Sequence, residues 1–352
     1  MLASTTHIPV MVDEIVNALN IRDDGIYVDA TLGMGGYSRA ILNSSSCRLV
    51  AIDRDPDSIL NSNKLSKFYG ERFKAVEGLF SNLDKILNDL EIDKIDGITF
   101  DFGVSSPQID NSERGFSFKN DGPLDMRMSK SGLSASEFLN NTDQNILIDV
   151  LKNFGEERKA YKISSAIISA RPLKTTLDFA KVIYSVLGNP KKGETDPATR
   201  SFQAIRIAIN NELEEIQNGL FACLKFLKPG SRIVAVSFHS LEDRIVKNFF
   251  YQNSDLRSNQ NRHLPYKNTT PKPLKSVTKK PIVPSIEEIF NNPRSRSAKL
   301  RISEKRTSLE YMSEKNLQRF KKRVDIILAN RMSEELSDVE SKIFSRDIFQ
   351  ND

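Results

Sequence analysis

Cysteine and histidine are scarce in this chain, and what is scarce narrows the chemistry. Among 352 residues there are two cysteines, Cys47 and Cys223, and three histidines, His7, His239 and His263. None shares a metal-like spacing with another, which argues against a disulfide framework, a zinc site and a metal-centred mechanism. Long apolar runs are also missing. Runs such as residues 233–236 fall far short of the roughly 20 residues that cross a bilayer. The N-terminus lacks a charged stretch followed by an apolar one, so no signal peptide and no membrane partner are expected, and the expected location is the cytoplasm. What is present is the composition of a soluble globular protein, long enough for two domains or for one domain carrying a large insertion.

The net charge of +5 is unevenly spread. Residues 244–306 hold 15 Lys and Arg against 4 Asp and Glu, so the rest of the chain is net acidic. With Phe249, Phe250, Tyr251 and Tyr266 interleaved, this stretch could follow a phosphate backbone and stack on unpaired bases. A solvated basic loop is the plainer alternative.

The first hundred residues repeat a short apolar strand, a turn and a helical stretch. Strands are predicted at 26–30, 48–53, 73–77 and 95–101, with helices at 38–42, 56–68 and 81–90, the pattern of a parallel sheet covered by helices. After Asp101 a loop rich in Gly, Ser and Asp (103–128) leads into helical segments over 134–187 with no strand pattern. The rhythm returns with a helix near 201–227, a stop at Lys228-Pro229-Gly230 and a strand at 232–238. Two weaker strands, 273–278 and 297–302, bring the count to seven, the last two forming an antiparallel edge pair. The predicted fold is therefore α/β, a seven-stranded Rossmann-like sheet with an inserted helical domain; the motifs at the ends of its strands make it a class I methyltransferase sheet. Its divisions are 1–108 and 199–302 for the sheet domain, 109–198 for the insertion, and 303–352 for a charged extension. In that extension Leu317, Phe320, Val324, Ile327 and Leu328 recur at helical spacing, which predicts an amphipathic helix.

The first strand runs into Asp29-Ala30-Thr31-Leu32-Gly33-Met34-Gly35-Gly36-Tyr37. Glycines at such a turn let the backbone approach a ligand closely, and N–H groups at the following helix start can hold an anion. The second strand ends at Asp53, 20 residues after Gly33, where a carboxylate can accept hydrogen bonds from both ribose hydroxyls. Together the two features point to an adenosine ligand. The glycine run does not complete the Gly-x-Gly-x-x-Gly of dinucleotide enzymes, and Asp29 suits a cationic methionine moiety better than a pyrophosphate. S-adenosylmethionine is thus the preferred cofactor. Phe80, after the third strand, could stack on adenine or fill the core.

The fourth strand ends in Asp101-Phe102-Gly103-Val104-Ser105-Ser106-Pro107-Gln108, at the sheet edge where ligands bind. Neither a Val-Ala-Ile-Lys strand nor a His-Arg-Asp loop accompanies it, so the Asp-Phe-Gly is not a kinase signature. Amino-methyltransferases place Asp, Asn or Ser followed by two prolines and an aromatic here. The prolines are missing, but the leading acid makes sense: an acceptor on the N–H of a conjugated amine raises electron density on its nitrogen. In His239-Ser240-Leu241-Glu242-Asp243, Ser240 is expected to cap a helix with Asp243 as its reciprocal partner. Ser237, Phe238 and His239 are expected at the cleft. The loop 111–128 carries Arg114, Phe116, Phe118 and Arg127, which are read as holding an extruded base and its phosphate, or alternatively as anchoring the loop to the core.

Taken together, Glu14, the 29–38 loop, residues 52–55, 101–108, 113–118, 122–128, 155–158, 237–244 and 292–296 resemble the RsmH (MraW) family over about residues 7–302. The resemblance implies transfer of a methyl group from S-adenosylmethionine to N4 of a cytosine in the decoding centre of 16S ribosomal RNA, with a small-subunit particle as partner; a homodimer is left open. It implies cofactor contacts at Gly35, Gly36, Tyr37, Asp53, Phe80, Asp101 and Gln108, with Asp101 the candidate catalytic residue. Tyr37 and Phe102 stand where the family usually has His and Leu. The generic cofactor features alone would also allow a DNA or small-molecule amine methyltransferase, or an assembly factor that binds ribosomal RNA on a vestigial cofactor fold.

Overall fold

The computed structural model describes residues 9–254 and 272–307, together with the strands Ile327–Ala329 and Ile343–Ser345. The first part of the chain alternates as its apolar pattern predicts. The elements are α1 (Val12–Leu19), β1 (Ile26–Asp29), α2 (Gly36–Ser44), β2 (Arg48–Asp53), α3 (Pro56–Tyr69), β3 (Phe73–Glu77), α4 (Leu83–Asp89), β4 (Ile95–Asp101) and α5 (Ser106–Asp110). Four helices follow, α6 (Ala135–Asn141), α7 (Gln144–Asn153), α8 (Ala160–Ser169) and α9 (Thr176–Leu187). The chain then returns to the sheet through α10 (Ala198–Asn210), α11 (Glu212–Cys223), β5 (Leu227–Ser237), α12 (Ser240–Asn253), β6 (Leu274–Ser276), α13 (Ile286–Asn291) and β7 (Lys299–Lys305).

The seven strands lie in the order β3-β2-β1-β4-β5-β7-β6. β1 to β5 are parallel, and β7 is antiparallel to both its neighbours. Strand alternation sorts side chains to the two faces. Val28, Val50, Ile52 and Phe100 pack under α4, α11 and α12, whereas Tyr27, Leu49 and Ala51 pack under α1, α2 and α3. A third cluster joins α6–α9 to the start of α10 and includes Leu124 and Met126 of the preceding loop. The order reverses between β1 and β4, and at that switch point the carboxyl ends of the strands leave a crevice.

Three local expectations need correction. The helix expected over 201–227 is two, because Asn211 adopts a left-handed conformation (φ 53°) between α10 and α11. The Lys228-Pro229-Gly230 stop lies inside β5, where the pairing with β4 shifts register between Ile95 and Gly97 and absorbs the irregular residues. In the extension, Ile327 and Leu328 belong not to a helix but to β8 (Ile327–Ala329), which pairs in parallel with β9 (Ile343–Ser345). Leu317, Phe320 and Val324 lie outside the described residues, as does Tyr266. Among the described residues no helix is long and apolar enough to cross a membrane.

Candidate active site

The carboxyl ends of β1, β2, β4 and β5 open into a cavity of about 790 Å³, a size that suits a nucleoside joined to an amino acid. Gly33, Gly36, Tyr37, Asp53, Phe80, Asp101 and Gln108 line it, with Phe238, His239 and Glu242 from the end of β5 and the start of α12. Gly35 is not on the wall. It caps α2 at φ 71°, and a Cβ there would sit 2.5 Å from Leu65 Cδ1, so its lack of a side chain serves the turn's packing. Gly36 has a similar constraint, since a Cβ would meet Pro9 at 2.2 Å.

Asp53 ties the glycine turn to the end of β2. Its Oδ2 accepts the N–H of Gly33 at 2.7 Å and its Oδ1 that of Asp55 at 2.8 Å. Burial raises its pKa despite those bonds. Each oxygen retains a further lone pair, so the carboxylate fits a ribose diol in the cavity. Gly78, whose N–H donates to Asp53 O at 2.9 Å, leads to Phe80. Phe80 does both things the sequence allows: it lines the cavity while packing edge-on against Phe100 at 5.6 Å. Gln108 is tied at both ends, its Oε1 accepting from Ser105 N and its Nε2 donating to Asp55 Oδ2.

Asp29 is the wrong residue to meet a cationic methionine directly. It is fully buried, off the cavity wall, and its carboxylate accepts from Ser38 Oγ at 2.7 Å and Thr31 N at 3.2 Å. Burial pushes its pKa to about 6. Asp101, unlike Asp29, lines the cavity. Its backbone N–H is fixed by Thr31 Oγ1 at 2.7 Å, and its Oδ1 is buried with no partner. Burial first, then Asp29 and Glu242, push its pKa up to about 8. Tyr37, where the family usually has His, donates its hydroxyl to Val10 O at 2.6 Å and so closes the wall beside Asp101. Burial, then Asp101 and Asp29, hold its phenol well above the ordinary value.

At the other side Glu242, wholly buried, accepts from Phe238 N at 2.7 Å, and His239 Nε2 lies 3.0 Å from its second oxygen. Burial opposes its ionisation, but His239, Arg206 and the Phe238 N–H outweigh it and hold its pKa below the usual value. The helix cap is therefore His239 with Glu242. Ser240 is not the cap, and Asp243 turns away to pair with Arg301 at 2.6 Å, because the spacing of α12 points it at β7. Arg206, held by Glu212 through two 2.8 Å bonds, completes this wall. Sequence patterns gave no reason to single out Arg206, Glu212 or Glu215, since acids in a helix's first turn are ordinary dipole partners; only the packing of α10 and α11 brings them to the cavity.

The loop 111–128 does not present the expected base clamp. Arg114 is buried, pairs with Asp55 at 2.8 Å and donates to the carbonyls of Arg127 and Met128. Arg127 pairs with Asp125, Phe118 packs on Phe202 at 4.7 Å, and Phe116 packs against the helical cluster. The alternative reading holds: these groups anchor the loop. Phe249 and Phe250 of the basic stretch are likewise core residues.

A Rossmann-like sheet with an antiparallel β7, a glycine turn after β1, a carboxylate ending β2 and a cavity over the switch point define a class I methyltransferase. The MraW methylase family pattern matches residues 4–306. A ribosomal RNA small subunit methyltransferase H of Rhizorhabdus wittichii is 44% identical over 86% of this chain and 94% of its own length. One of Zymomonas mobilis is 46% identical over 84% and 89%. A solved rRNA methylase from Streptococcus thermophilus aligns over 84% of this chain and 94% of its own, with 11% identity and a TM-score of 0.39. The chain belongs to the MraW methylase family, and its cofactor is S-adenosylmethionine.

Proposed function

We propose that this methylase transfers the methyl group of S-adenosylmethionine to the exocyclic N4 of a cytosine in the decoding centre of 16S ribosomal RNA, acting on a small-subunit particle in the cytoplasm. The family membership supports the RNA target, and the observation that carries the chemistry is Asp101: an unpartnered buried carboxylate oxygen at the end of β4, in the same cavity as Asp53. The bound cofactor supplies a methyl group already activated by its sulfonium. Gly36, Tyr37, Asp53 and Phe80 would hold it from the wall, while Gly35 and Gln108 shape the turns that carry the wall.

Asp101 then accepts an N–H of the amine, orients its lone pair toward the methyl group, and takes the proton that the nitrogen must lose. The sulfonium of a bound cofactor would favour the ionised form that Asp101 needs, against the upward push of burial. Phe238 and His239 form the wall against which the base lies. RNA reaches the cavity past α13, where Ile286 and Phe290 are 90% and 84% exposed just ahead of the lining residues Asn291, Asn292, Pro293 and Arg294. Lys279 and Lys280 are exposed nearby in sequence. The test compares methyl transfer to undermethylated small-subunit particles with transfer to duplex DNA. Transfer to the particle alone is expected, and equal or greater transfer to DNA overturns the assignment.

A further inference from the structure

Glu215 is a carboxylate with no part in the proposed methyl transfer. It lies in the first turns of α11 and lines the cavity. One oxygen, Oε1, accepts the hydroxyl of Ser81 at 2.8 Å, while the other, Oε2, is buried without a hydrogen-bond partner. A lone buried carboxylate oxygen is costly, and a folded protein keeps one where a ligand completes it.

Its neighbours say which ligand group that is. Ser81 directly follows Phe80, and one turn along α11 a Cβ on Gly219 would sit 2.4 Å from the Phe80 ring. α11 is therefore pressed against the turn that carries Phe80. That turn is joined through the Gly78 N–H to the backbone carbonyl of Asp53, the residue whose carboxylate is proposed to hold the ribose. Glu215 is thus placed at the base end of the adenosine site, beyond the ribose. Of the polar groups on adenine, the ring nitrogens are acceptors and repel a carboxylate; the exocyclic 6-amine alone donates N–H bonds.

We propose that Glu215 Oε2 accepts a hydrogen bond from the adenine 6-amine and makes the chain select an adenosyl cofactor over a 6-oxopurine one, with Ser81 fixing the carboxylate's rotation. The inference rests on the cofactor reading of this cavity. A 6-oxopurine turns a carbonyl toward the carboxylate, so the same oxygen that rewards the amine penalises its replacement.

Calorimetry of the full chain with S-adenosylhomocysteine and S-inosylhomocysteine tests it, without recourse to catalysis. The wild-type chain is expected to favour the adenosyl compound by about ten- to a hundredfold, the range for a hydrogen bond to a charged group. Glu215→Gln keeps the shape and an acceptor for Ser81 but can also donate to a carbonyl, so the preference should collapse to within a few-fold. Glu215→Ala should lose the preference as well. If either variant binds both compounds more weakly by the same factor and keeps the wild-type ratio, Glu215 only supports the turn and the proposal fails. Melting curves of both variants identify loss of fold, and Ser81→Ala, which leaves the carboxylate in place but free to rotate, should reduce the ratio partially; an unchanged ratio also counts against the proposal. If the wild-type chain binds neither compound, the cofactor reading itself is what falls.

Discussion

Asp53 Oδ2 accepts the backbone N–H of Gly33 at 2.7 Å, so the carboxylate proposed to hold the ribose also closes the glycine turn. The proposed ribose ligand thus also serves the fold. Asp53→Ala should therefore weaken S-adenosylhomocysteine binding by about tenfold or more and also lower stability by about 1 to 3 kcal/mol, because the N–H groups of Gly33 and Asp55 lose their acceptor. Calorimetry and denaturant melts check both. Lost affinity with an unchanged melt would show that the turn stands without Asp53.

Arg114 was attractive as a phosphate ligand and is instead a buried clamp. Its side chain is 9% exposed and that of its partner Asp55 3%. Removing one member of such a pair strands the other, a loss of about 3 to 5 kcal/mol. Arg114→Ala is expected to destabilise the chain by that order in denaturant melts. A variant of wild-type stability that had lost only RNA affinity would return Arg114 to the substrate surface.

The titration of Asp101 gives a prediction with a definite sign. The group ionises near 3.8 when unfolded and at about 8 in the folded chain, and Asp29 at about 6. Between these values the folded chain keeps protons that the unfolded chain has released, so the contribution of these two groups to the stability of the cofactor-free protein falls as pH rises from about 4 to about 8 and then levels. Asp101→Asn stays neutral throughout. Its melting temperature should exceed that of the wild type by a margin that widens from pH 5 to pH 8.5, while methyl transfer is lost. A margin independent of pH would contradict the assigned shift.

Lys279 and Lys280 are exposed and sit in the basic stretch that enters the proposed RNA path. Replacing both with Gln should flatten the dependence of log affinity on log salt by about 0.7 to 0.9 per lost phosphate contact. Phe290→Ala should weaken binding without that change in slope, since a stacking ring releases no counterions. Filter binding across a salt series separates the two effects. An unaltered slope in the lysine variant would place both lysines in bulk solvent.

How much of this was legible in the sequence depended on whether a signal was local. The unbroken apolar run Leu49-Val50-Ala51-Ile52 ending at Asp53 and the glycine turn after Asp29 are local, and the parallel sheet and its switch-point crevice follow from them. The partners of long polar side chains are not local. Nothing near Arg114 in sequence shows that Asp55, 59 positions away, will claim it, and nothing near Glu215 shows that Ser81 will. Aromatic residues misled for the same reason: Phe249 and Phe250 interleave with basic residues but face the sheet from α12, whereas Phe290 lies outside any obvious motif and is exposed. The cap at His239 rather than Ser240 is a one-residue shift in where α12 begins, and it moves the reciprocal acid from Asp243 to Glu242.

The most direct measurement is mass spectrometry of 16S ribosomal RNA from undermethylated small-subunit particles after incubation with the purified chain and isotopically labelled S-adenosylmethionine. The account predicts one labelled methyl group, on N4 of a single cytosine in the decoding centre, present with the wild-type chain and absent with Asp101→Asn. Label on a ring carbon or a ribose oxygen, or an Asp101→Asn chain as active as the wild type, would contradict it.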